Sequence, residues 1–142
     1  MKLSFSARVV SAAAFWLAAV VVCASQDAPP PAAGKTTLAG VYSAAQAEKG
    51  QDTFSTLCTG CHKVSSHSGQ PFKTRWLGKP LAELYQLIKD TMPEDAAGSL
   101  SPGEAAQLVA FLLKANGLPA GTAELPTDAA VLKTIRIELP VK

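Results

Sequence analysis

The chain has 142 residues, of which 48% are hydrophobic and 17% charged, and its formal net charge is +2. This length predicts one domain, and the charge gives no basic field of the kind that nucleic-acid binding requires. Without Lys2 and Arg8 the 13 basic residues fall to 11, which equals the 11 acidic ones.

Residues 1–24 have the three parts of a secretory signal peptide. Lys2 and Arg8 precede an uncharged run over residues 9–23, and Ala24 supplies a small residue at its end. The run is shorter than the roughly 20 apolar residues that a spanning helix needs. We expect cleavage after Ala24 and export to the periplasm, with a membrane anchor as the alternative if the segment is kept.

Residues 25–40 contain three consecutive prolines and no periodic apolar pattern. Such a composition is typical of a flexible leader that does not pack. The folded domain is therefore predicted over residues 41–142, with an extended tail from about residue 127.

The first predicted helix spans residues 43–57. Ser43 and Gln46 have the spacing of a capping box, and apolar residues then recur at helical intervals. Gly50 lies inside this helix, where glycine lowers stability, so it indicates close approach by another backbone.

Two further helices follow a loop-like stretch over residues 62–78. One occupies residues 79–90 with Pro80 in its first turn. The other begins with a capping box at Ser101 and ends before Gly117. Beyond it we expect a short helix capped by Thr127 and an extended tail on the core, so the predicted fold class is all-α.

The stretch CTGCH, residues 58–62, contains the residue types that indicate a functional site. A C-x-x-C pair serves in redox disulfides, in zinc sites or in haem c attachment, and the added histidine points to haem. A structural zinc ion needs four ligands, and the adjacent Cys61 and His62 are awkward partners on one tetrahedral ion. A redox dithiol requires a βαβ pattern that this helical sequence does not show.

Haem c attachment uses every residue of the motif. Each thiol, from Cys58 and Cys61, captures one vinyl group of the porphyrin, and His62 then offers a nitrogen to the iron. Covalent attachment of one haem also suits an exported protein, which has no cytosolic haem pool from which to rebind a lost cofactor.

The sixth iron position decides between two classes of haem protein. Met92 is the only methionine outside the signal peptide and follows the second helix, whereas His67 lies too near His62 in sequence to cross the ring easily. Histidine and methionine together leave no open position, which favours an electron carrier rather than an enzyme. The alternative is a haem enzyme or sensor in which Met92 does not bind the iron. Met92 would then be an ordinary residue of the hydrophobic core.

Over about residues 41–125 the chain resembles the class I c-type cytochromes. The resemblance rests on CTGCH, TMPED and the helices that contain Gly50, Phe54 and Phe111. It implies a small fold of three to five helices wrapped around one covalently bound haem, with the first and last helices crossing at those three residues. FKTRWLGKPLAELYQLI, TMPED, LVAFLLKANGLPAG and ELPTD are similar to cytochrome modules that accompany periplasmic quinoprotein dehydrogenases.

The resemblance also implies roles for individual residues. Cys58 and Cys61 would attach the haem, and His62 and Met92 would bind its iron. Pro71 resembles a proline whose carbonyl holds the axial imidazole, and Trp76 resembles a tryptophan near a haem propionate. Apolar side chains of the second and third predicted helices would line the haem, namely Leu81, Leu84, Ile88 and Leu112.

Redox proteins are the partners that the resemblance implies, with a quinoprotein dehydrogenase as donor and an oxidase or another cytochrome as acceptor. Residues 63–79 carry four basic side chains and no acidic one: Lys63, Lys73, Arg75 and Lys79. Such a patch steers acidic partners, although solvated lysines explain it equally well and Glu94 and Asp95 oppose a simple basic ring.

Overall fold

The computed structural model describes residues 34–141, and within them five α-helices and no β-strand. The helices are α1 (Ala44–Leu57), α2 (Gln70–Trp76), α3 (Leu81–Thr91), α4 (Pro102–Ala115) and α5 (Ala129–Lys133). The all-α prediction is confirmed. Residues 1–24, predicted to be a signal peptide, and residues 25–33 lie outside the described range. Within residues 34–141 no helix is long and apolar enough to cross a membrane.

Helix α1 begins as predicted but with only half of the capping box. The hydroxyl of Ser43 accepts a hydrogen bond from the Gln46 backbone N–H at 3.1 Å. The Gln46 side chain turns to Leu125 instead, donating to its carbonyl at 3.0 Å and accepting from its N–H at 2.7 Å. Because Gln46 is buried, these two bonds satisfy an amide that would be costly unpaired, and they tie residue 125 to α1.

The capping box predicted at the start of α4 is complete. Ser101 accepts from the Glu104 N–H at 3.2 Å, and the Glu104 carboxylate accepts from the Ser101 N–H at 2.8 Å. Hydrogen bonds to Ser101 hold the pKa of Glu104 below its usual value. Pro102 occupies the first turn, where its missing N–H has no intrahelical partner to lose.

Helices α1 and α4 cross at Gly50. A Cβ atom at this position would overlap the carbonyl oxygen of Gln107, so the two backbones meet directly. The rings of Phe54 and Phe111 pack beside this point with centroids 5.3 Å apart. The crossing and its three predicted residues are confirmed.

The loop predicted over residues 62–78 is wrong, because the segment holds a 3-10 turn (Val64–His67) and then α2. Gly69 has a φ of 64° and precedes the helix rather than interrupting it, and Pro71 lies in the first turn. Phe72 and Trp76, four residues apart on one face, are both buried. Tertiary burial therefore outweighs local composition in this segment.

The leader prediction is also wrong for residues 34–40. Thr36 pairs with Arg136, and the buried Thr37 hydroxyl donates to the Glu138 carbonyl at 2.6 Å and accepts from its N–H at 2.9 Å. The tail is extended and lies on the core as expected, since Ile135 and Ile137 are buried. The cap of the short helix α5 is Asp128 rather than Thr127.

We predict that Gly50→Ala lowers the free energy of unfolding by about 1–3 kcal/mol, because overpacking the crossing costs more than the gain in helix propensity. Gly103→Ala in α4 is the control, since the nearest atom to its added Cβ is 4.0 Å away. Urea unfolding measures both variants. Equal stability of the two variants would contradict a close crossing at Gly50.

Candidate functional site

A cavity of about 640 Å³ lies between α1, α3, α4 and the CTGCH turn. Its size falls within the roughly 300–1,000 Å³ of small-molecule and cofactor sites. Apolar side chains from the three helices form much of its wall: Phe54, Leu57, Leu84, Leu87, Ile88, Leu108 and Leu112. The predicted lining role of Leu84, Ile88 and Leu112 agrees with this placement.

The CTGCH motif folds as a tight turn at the end of α1. The Cys58 N–H continues the helical pattern by donating to the Phe54 carbonyl at 2.9 Å. The Cys58 carbonyl then accepts from the N–H groups of Cys61 at 3.1 Å and His62 at 2.8 Å. This turn brings both thiols and the imidazole to the same cavity.

Both cysteines of the motif are free thiols. Cys58 is half-buried, and burial raises the pKa of its thiol, whereas Cys61 is exposed at the cavity edge. Two free thiols that line one cavity are the groups that would form two thioether bonds to a haem.

Met92 reaches the cavity from the end of α3. Its N–H donates to the Ile88 carbonyl at 3.0 Å as the last helical bond, and its own backbone is already extended. The half-buried side chain lines the same cavity as His62. One nitrogen donor and one sulfur donor are thus delivered to one site by two different elements.

His67 also lines the cavity, although sequence reasoning treated it only as a poor iron ligand. Its ring lies 4.9 Å from that of His62, at an angle of 68°, and 6.5 Å from that of Phe54. Burial, followed by the neighbouring His62 and Arg75, lowers the pKa of His67 and favours its neutral form. Its spacing from His62 gave no sign of this packing, which depends on the 3-10 turn.

Trp76 lines the cavity as well and is flanked by two cations. The Arg75 guanidinium lies 5.1 Å and the Lys79 ammonium 5.4 Å from the centre of the Trp76 ring. Such contacts are within the range of cation–π attraction. Arg75 itself reaches the cavity wall, which the sequence did not indicate.

Pro71, predicted to hold the axial imidazole, and Leu81, predicted to line the haem, are not part of the wall that residues 34–141 form. Pro71 is exposed in the first turn of α2, because the segment expected as a loop is a helix. Leu81 is fully buried, and its N–H donates to the Ile135 carbonyl at 2.8 Å. The C-terminal tail covers this end of α3 and takes Leu81 into the core.

The described residues fit haem c by the chemistry of their donors. An apolar wall, two free thiols, an imidazole and a thioether meet in one cavity. Within residues 34–141 no three His, Cys, Asp or Glu side chains converge as ligands of an ion.

A comparison with protein-family models matches residues 45–112 to the family described as cytochrome C oxidase, cbb3-type, subunit III. Comparisons with curated proteins and with solved structures found no match. The matched residues run from the start of α1 through most of α4 and contain Cys58, Cys61, His62 and Met92. This match, together with the all-helical fold, supports a class I c-type cytochrome.

Proposed function

We propose that the protein is a periplasmic monohaem cytochrome that carries single electrons between redox proteins. The observation that carries the proposal is the meeting of Cys58, Cys61, His62 and Met92 at one apolar cavity. The signal-peptide pattern of residues 1–24 supports export, and with it the periplasmic location.

Each of these residues has a separate task. Cys58 and Cys61 would hold one haem c covalently, and His62 and Met92 would bind its iron from the two elements that carry them. The bound haem supplies one-electron exchange at its iron. With His62 and Met92 both bound to the iron, no position would be left for a substrate, and Leu84, Ile88 and the other apolar wall residues would keep water away.

The cavity edge beside Cys61 is where we place partner contact. Cys61 is exposed, and Leu57 is 46% exposed although it lines the cavity. The nearby basic residues Lys63, Lys73 and Arg75 are also exposed. An apolar edge with surrounding positive charge suits brief, salt-sensitive encounters with an acidic protein.

The donor we propose is a dehydrogenase, and the acceptor an oxidase or another cytochrome. The donor rests on the resemblance of FKTRWLGKPLAELYQLI and TMPED to modules that accompany quinoprotein dehydrogenases. The oxidase is supported by the description of the matching family, which names an oxidase subunit.

Replacing both motif cysteines tests covalent attachment. We predict that Cys58→Ala with Cys61→Ala abolishes haem staining of the denatured protein and lowers its stability by several kcal/mol, on the order of the cost of emptying an apolar cavity. Thr59→Ala, in the same turn, keeps both thiols and is the control. Mass spectrometry of the exported wild type reports the mature N-terminus and the haem mass together. A wild-type chain that lacks the mass of a covalently bound haem would contradict the proposal.

Replacing Met92 separates an electron carrier from an enzyme or sensor with an open iron position. We predict that Met92→Ala lowers the midpoint potential by a sizeable part of the roughly 0.8 V that axial ligands span, and that the variant binds carbon monoxide. Leu87→Ala trims the same wall without removing a donor and should do neither. Carbon monoxide binding by the wild type at the same affinity would favour the enzyme or sensor.

Reversing charge at the cavity edge tests partner contact. With an acidic redox protein as the probe, Lys63→Glu combined with Lys73→Glu should slow electron exchange about tenfold at low salt and weaken its salt dependence. Lys35→Glu combined with Lys133→Glu is the matched control, because it reverses the same number of charges at two exposed residues that do not line the cavity. Equal slowing by the control would show that only net charge matters.

A further inference from the structure

The side chain of Asn116, at the end of α4, is bonded to the segment that follows the CTGCH turn. Its Oδ1 accepts from the Gly69 N–H at 2.9 Å, and its Nδ2 donates to the carbonyls of His67 at 3.0 Å and Leu112 at 2.8 Å. The amide therefore links residues 67–69 to the last turn of α4.

Without this link the segment is held by short-range bonds. The Ser66 N–H and hydroxyl both bond to the Lys63 carbonyl, at 3.0 Å and 2.7 Å. Gly69 adopts a φ of 64°, a conformation that favours glycine, and no heavy atom lies within 4 Å of where a Cβ would be. The amide of Asn116 supplies the long-range restraint.

The anchored segment carries His67 against His62. The two imidazoles meet edge to face with centroids 4.9 Å apart, and Phe54 bounds His67 on another side at 6.5 Å. Both histidines are half-buried at the cavity wall. The His67 ring thus takes up space beside His62 that water would otherwise occupy.

We propose that Asn116 and His67 act together as positioning residues for His62: Asn116 fixes residues 67–69, and the His67 ring packs on His62 and shields it from water. This inference rests on the proposed function, in which His62 binds a haem iron. Shielding an iron ligand from solvent raises the potential, because water stabilises the more highly charged oxidised state. Replacing either Asn116 or His67 by alanine should therefore lower the midpoint potential.

The test is the midpoint potential of the haem-loaded, exported protein. We expect His67→Ala and Asn116→Ala each to lower it by about 28 mV, a threefold change in the equilibrium constant at 59 mV per tenfold. His67→Phe keeps a ring in place and should remain near the wild type. Because the two residues act as one unit, the double alanine variant should match the larger single shift rather than the sum.

Two controls separate positioning from general loss of stability. Ser101→Ala removes the cap at the other end of α4 and costs about 1 kcal/mol, yet should leave the potential unchanged. Hydrogen exchange of the Gly69 N–H should quicken in Asn116→Ala and not in Ser101→Ala. His67→Ala changes a half-buried side chain outside the α-helices, so this variant still tests the inference if Asn116→Ala does not accumulate.

Several results would overturn the inference. Unmoved potentials in both alanine variants, additive shifts in the double variant, or an equal shift in Ser101→Ala would each do so. A fall in His67→Phe as large as in His67→Ala would remove the shielding role. These failures concern haem-loaded protein, whereas a wild type without covalent haem defeats the proposed function itself.

Discussion

The contact of α1 with α4 at Gly50 is the constraint on which the rest of the structure depends. Because the Gln107 carbonyl occupies the space of a side chain there, the two helices meet backbone to backbone, and Phe54 packs on Phe111 at the same crossing. The end of α1 then delivers the CTGCH turn to the cavity, while the wall residues Leu108 and Leu112 come from α4. A wider crossing would separate the thiols from this wall.

Much of the fold and the main site residues could be predicted because local rules decide them. The α4 boundaries follow from a capping box at Ser101 and a helix end before Gly117, both short-range effects. The chemistry of haem attachment points to the motif cysteines and His62, and Met92 is the only methionine besides Met1; all four line the cavity. Composition and spacing carry such information without knowledge of tertiary contacts.

The missed features depend on partners distant in sequence. Thr37 is buried because residues near 138 bond to it, and Gln46 leaves its expected cap because Leu125 offers both a donor and an acceptor. The packing of His67 on His62 likewise depends on a turn that an asparagine in α4 holds. None of these pairings leaves a periodic or compositional mark.

The proposed function requires that His62 and Met92 both bind the iron of one haem. Near-infrared absorption of the oxidised, exported protein tests it most directly, because a sulfur-to-iron transition appears only when the thioether of Met92 is bound. We predict low-spin iron with this weak band in the wild type and no such band in Met92→Ala. High-spin iron without the band in the wild type would contradict it.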